Sequence, residues 1–278
     1  MTIIIKIMPN RNVTASARNL VAVLAYDGVC TFELGIAVEV FGLPGMGEGW
    51  YRVVVCADRP GKPLLANGGV KIVADTGLEA LDRAGTIIVP GWQDIAVDPP
   101  DVLIDALRRA HANGVRIASI CSGVFVLAAA GLLIGRRVAV HWANAEALAR
   151  RYPQLSVDPT VLYVDEGDVL TSAGRAAGLD LCLHIVRRDH GTEIANQVAR
   201  RLVIAPHREG GQAQFIPRPV SAEHDPLGAV FAWAPAISTM ICRLPVSRRE
   251  HGWAGALLSA GLSRPLAHPP ANGCFRPG

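Results

Sequence analysis

The sequence predicts a doubly wound α/β domain, a mainly parallel sheet with helices on both faces. Three observations predict it. Apolar runs of strand length alternate with helical patterns along residues 20–204. Most of those runs are continuous rather than alternating, as in strands covered on both faces. One of them, residues 115–120, turns at Cys121 directly into a small-residue helical run that stops at Gly131.

Taken in order, residues 20–25 form an apolar strand, closed by the turn Tyr26-Asp27-Gly28. Residues 32–41 read as an amphipathic helix and 51–56 as a strand. Residues 68–73 are a strand entered from a glycine turn, and 78–82 a short helical piece. A buried strand at 86–89 ends in Pro90-Gly91-Trp92. A helix at 100–112 stops at Asn113-Gly114. After the Cys121 unit, a strand at 137–140 runs into His141, and a helix at 144–152 stops before Pro153. Residues 161–171 alternate as a hairpin with Glu166-Gly167 near the turn. Two helices follow, at 178–188 and 192–204.

Outside this region the pattern changes. Residues 1–17 read as a leader of no clear role, and 206–225 as a linker or arm. Residues 227–234 could begin a helix, which Pro235 breaks. The stretch 241–278 sets Arg243, Arg248, Arg249, Arg264 and Arg276 against the single acid Glu250 and is interrupted by prolines. It is expected to be poorly packed, or ordered only against a partner.

At 278 residues the chain suffices for one large domain with a smaller one, or for two modest ones. With 50% hydrophobic and 18% charged residues it forms a core and is not a disordered chain. A net charge of +3 permits an anionic partner without indicating one. The six cysteines, at 30, 56, 121, 182, 242 and 274, stand singly. Their spacing suggests neither a metal site nor a disulfide framework, so reduced thiols and a cytoplasmic location are expected, with no cofactor. No signal-peptide pattern and no apolar stretch of membrane-spanning length is expected to direct the chain to a membrane.

Chemistry is expected at the carboxyl ends of the strands, where a doubly wound sheet holds its ligands. Cys121 stands there, at a helix start whose free N–H groups favour a thiolate. Glu33 and His141 are the candidate acid/base partners, and the amides of Ser122 and of the Gly91–Trp92 turn the candidate oxyanion donors. Plainer readings stand beside these. In these, Cys121 is an inert core thiol and His141 a cap. Glu33 would then face solvent, with Glu39 its rival as the interior carboxylate. Trp92 and Trp142 line a pocket or fill core. Asp165, Glu166 and Asp168 decorate a solvated turn, and His184 is a satisfied surface or interface histidine.

The stretches 32–41, 89–91, 118–123, 138–142 and 169–174 together resemble the ThiJ/PfpI family, within the flavodoxin-like, class I glutamine amidotransferase-like fold. The resemblance covers about residues 20–205 of the domain counted here as 18–205. It implies a reactive cysteine at Cys121, a carboxylate at Glu33 and a histidine at His141. Residues 121–128, 177–187, 196–203 and 207–215 resemble, more narrowly, transcriptional regulators of the AraC family (the FtrA/GlxA type). There a ThiJ/PfpI-like domain precedes a DNA-binding region of two helix-turn-helix units.

That region needs about a hundred residues of helices. Residues 226–278 resemble only its start, over 227–233, and the expectation is a frame-shifted remnant beyond residues 234–240. The resemblance therefore implies a regulator whose front domain senses a small ligand and forms a homodimer. Promoter DNA is its partner if the last region works. The alternative is a small-molecule enzyme, a hydrolase, hydratase or glyoxalase-type lyase, using Cys121.

Overall fold

The computed structural model of the chain describes residues 19–208 and 211–216. The leader, the remainder of the 206–225 segment and the tail 226–278 lie outside the described residues, as does the expected change of frame.

The main sheet has six strands. They are β1 (Leu20–Leu24), β2 (Arg52–Cys56), β5 (Thr86–Val89), β6 (Arg116–Ile120), β9 (Tyr163–Asp165) and β10 (Val169–Ser172), in the spatial order β2-β1-β5-β6-β10-β9. All neighbours run parallel except β9, which returns antiparallel along β10. β3 (Pro63–Leu65) and β4 (Lys71–Val73) form a small antiparallel pair, and β7 (Arg137–Ala139) and β8 (Ser156–Asp158) a parallel one. Among the described residues, five α-helices flank the sheets: α1 (Thr31–Phe41), α2 (Asp101–Ala112), α3 (Val124–Ala129), α4 (Ala145–Arg151) and α5 (Ala177–Arg201).

The side-chain period of two sorts each central strand into two cores. Leu20, Ala22 and Leu24 of β1 join Ile87 and Val89, Ile117 and Val169 on one face, against α2, α3 and α4. Val21, Val23, Ile88, Ala118, Ile120 and Leu170 point to the other face, against α1 and α5. Because both sets are apolar, the strands read as continuous runs and the sheet must be covered twice. The doubly wound expectation therefore holds.

Several local details differ from the sequence reading. The strand expected at 68–73 starts only at Lys71, because Asn67–Gly69 is a 3-10 turn with Gly68 and Gly69 at φ 70° and 77°. The strand leading to His141 belongs to the side pair β7–β8, tied to the main sheet where the Ala139 amide donates to Thr171 Oγ1 at 2.8 Å. The two helices expected at 178–188 and 192–204 run end to end within α5, broken at Gly191 (φ 86°, ψ 169°). β3 and β8, three residues each, have no periodicity long enough to read.

The 161–171 hairpin is not merely solvated. Asp165 pairs with His184 Nε2 at 2.6 Å and Arg188 Nη1 at 2.7 Å. Asp168 pairs with Arg136 Nη1 at 2.6 Å and His111 Nε2 at 2.7 Å. Burial opposes both charges, but the bonds from His184 and from Arg136 lead the opposing effects, and both carboxyls fall to about 2. Glu166 is exposed, as expected of a turn residue.

Candidate functional site

Four parallel strands lie side by side as β1-β5-β6-β10, so their carboxyl ends share one edge. That edge carries Tyr26 after β1, Pro90 and Gly91 after β5, Cys121 after β6, and Gly174 and Arg175 after β10. α1 places Glu33 among them in its first turn, 2% exposed, while Glu39 faces solvent. The interior carboxylate is therefore Glu33.

Cys121 sits at φ 56°, in the left-handed region that non-glycine residues rarely adopt. A 3-10 turn, Cys121–Gly123, separates it from α3, which has six residues. The Ser122 and Arg175 amides donate toward its sulfur. Burial nevertheless raises the thiol first, the Glu33 charge raises it further, and the thiol is pushed up to about 12. The expectation of a helix-stabilised thiolate is thus corrected. A short turn supplies too little positive potential to outweigh burial and an adjacent carboxylate.

Glu33 is itself raised by burial, against the Gly91 amide, the Cys121 thiol and the Arg175 charge, which lower it. The Gly91 amide donates to Glu33 Oε2 at 2.6 Å. A Cβ on residue 91 would lie 2.4 Å from that oxygen, so the contact requires glycine. The same bond changes the role expected of Gly91. Its amide is committed to Glu33 rather than free as an oxyanion donor. Trp92, the other expected donor, contributes its carbonyl, which accepts from Ser122 Oγ at 2.8 Å. The Trp92 indole donates to Val97 O at 3.0 Å, and its ring meets Tyr26 edge-on at 4.8 Å.

His141 follows β7. Its Nδ1 accepts from the Ala143 amide at 3.1 Å, capping the 3-10 turn Trp142–Asn144. That bond puts the ring proton on Nε2 in the neutral form. Burial, then the Arg175 charge, lowers its pKa, which favours that form. The ring lies over Gly174, where a Cβ would fall 1.8 Å from Cδ2. Trp142 is half-buried beside it.

Arg175, at φ 47°, joins the group: its charge bears on both Glu33 and His141. It was missed because the motif that marks this strand end stops one residue earlier, at Gly174. Gln212 was missed as well. Its Nε2 donates to Val140 O at 2.7 Å and its Oε1 accepts from the Trp142 amide at 3.0 Å, so one buried side chain brackets His141. The Gln212 amide also donates to Thr160 O at 2.8 Å. The described part of the expected linker is therefore anchored on the α/β domain.

Among the described residues no group of three His, Cys, Asp or Glu side chains could hold a metal ion. Cys30, Cys56, Cys121 and Cys182 are unpaired thiols. No helix among the described residues is long and apolar enough to cross a membrane.

The chain is 38% identical over 152 residues to the HTH-type transcriptional regulator CdhR of Pseudomonas aeruginosa, covering 54% of this chain and 44% of that protein. It is 30% identical over 146 residues to isonitrile hydratase of Pseudomonas putida, covering 52% and 62%. It thus spans about half the length of the curated relatives it matches. The crystal structure of an AraC family transcriptional regulator from Pseudomonas putida matches with TM-score 0.58 at 21% identity, over 66% of this chain and 98% of that one. The sequence profile of the DJ-1/PfpI family matches residues 19–188, and the chain belongs to that family.

Proposed function

We propose that residues 18–205 are the ligand-sensing, dimer-forming domain of an AraC-type transcriptional regulator, acting in the cytoplasm, with 206–225 leading toward a DNA-binding remnant at 226–278. The observation that carries this reading is the state of Cys121. Burial and the Glu33 charge raise its pKa, and the neighbouring Gly91 amide is taken by Glu33. Such a site is disposed to bind a small molecule rather than to attack one. The similarity to regulators such as CdhR, and the reduced thiols, support the same reading.

In this reading Cys121, Glu33 and His141, with Arg175, meet the ligand, and Ser122 holds the turn. Gln212 links the His141 loop to the chain that follows. The test is fluorescence anisotropy of the full chain on its own upstream DNA at low and moderate salt. For a remnant the expected result is no sequence-specific binding, equal on scrambled DNA. Sequence-specific binding that weakens with salt would show a working DNA reader and overturn the remnant.

A second reading is a cysteine-dependent hydrolase, hydratase or lyase. The strained Cys121 backbone, the two amides directed at its sulfur and the similarity to isonitrile hydratase favour it. Turnover lost in a folded Cys121→Ala variant would establish it.

A further inference from the structure

A pocket of about 160 Å³ opens at the carboxyl ends of β1 and β2. Cys121, Glu33 and His141 are not among its walls. Leu24, Leu78, Pro100 and Leu103 make much of it apolar, and Tyr26 and Trp92 add an edge-on aromatic pair. An apolar cavity of roughly 150 Å³ holds one benzene ring, so the size fits a single-ring molecule.

Its polar lining has a defined sign. Arg59 Nη2 lies 2.7 Å from Asp27 Oδ2, and Arg59 Nε lies 3.7 Å from Asp58 Oδ2. One guanidinium thus serves two carboxylates, leaving one negative charge in excess. Asp27 is further engaged, its Oδ1 accepting from the Leu65 amide at 2.9 Å. Asp58 is the acid less fully compensated.

The walls are also wired to the thiol site. The Tyr26 hydroxyl donates to Pro90 O, and the Trp92 carbonyl accepts from Ser122 Oγ, next to Cys121. We propose that this pocket is a second binding site, for an apolar molecule of one-ring size carrying an ammonium group, the ring among the leucines and the cation toward Asp58. The proposal rests on the pocket alone and holds whether Cys121 senses or reacts.

The test is calorimetric titration of the full chain with benzylammonium and with benzoate, which match in size and differ in charge. Benzylammonium should saturate a single site, with benzoate about three- to fivefold weaker, as expected for one partly exposed charge. Asp58→Asn should narrow that gap. Leu103→Trp fills the cavity and should abolish binding, with the circular dichroism and the Cys121 alkylation profile unchanged. If Leu103→Trp does not fold, Leu78→Trp makes the same test from a different element. No saturable binding, benzoate binding as well as benzylammonium, or a titration unaltered by the filling variants would overturn the proposal.

Discussion

The Gly91 amide donates to Glu33 Oε2 at 2.6 Å, and this bond fixes what the cysteine beside it does. It holds a buried carboxylate against Cys121, where the carboxylate's charge opposes thiolate formation. Cys121 should therefore alkylate more slowly near neutral pH than an ordinary thiol, with a rate that climbs toward pH 12. Removing the charge in Glu33→Gln should speed iodoacetamide labelling of Cys121 at pH 8 by about tenfold, one pKa unit. Mass spectrometry against the other cysteines measures it. An unchanged rate would mean that burial alone sets the thiol.

Asp165 has a folded pKa of about 2, below the 3.8 of an unperturbed carboxyl. Its stabilisation is complete above pH 4 and disappears as the pH falls through 2, because the folded state then takes up the proton that the unfolded state already holds. Asp165→Asn should cost roughly 1–2 kcal/mol at pH 7 and little near pH 2. Urea unfolding at the two pH values checks this, and equal costs would count against it.

Gln212→Ala leaves Val140 O and the Trp142 amide without their partner. A loss of about 1–3 kcal/mol is expected for buried groups left unsatisfied. The segment should also detach, so limited trypsin should cut after Arg208 faster than in the parent chain. If cleavage does not change, the Asp180–Arg208 ion pair holds the segment by itself.

Gly174→Ala puts a methyl into the His141 ring. The ring must turn away, costing roughly 1–3 kcal/mol of overpacking. The His141 imidazole resonances should shift, while those of His111, paired elsewhere with Asp168, should stay. Unmoved His141 resonances would show that the backbone at 174 yields instead.

The residues that could be read and those that could not differ in kind. Cys121 was legible because a strand passing straight into a helix is a local event. Glu33 was legible as the candidate carboxylate, with Glu39 its rival on the same helix, and the bond from Gly91 shows why Glu33 is the interior one. Arg175 was hidden by being an ordinary surface residue type, and Gln212 by lying in a stretch with no periodicity.

The sequence by itself determined the strands of the main sheet, the larger helices and their order, because burial on two faces writes a continuous apolar run and a covering helix writes its own period. It also determined the family, through stretches that lie at strand ends. Only the tertiary structure decided the electrostatics of the site. A thiol's ionisation depends on burial, on nearby charge and on hydrogen bonds, and here these come from the Glu33 carboxylate and the Ser122 and Arg175 amides, on three separate segments of the chain. The edge of the sheet brings them together, and no spacing along the chain encodes that approach.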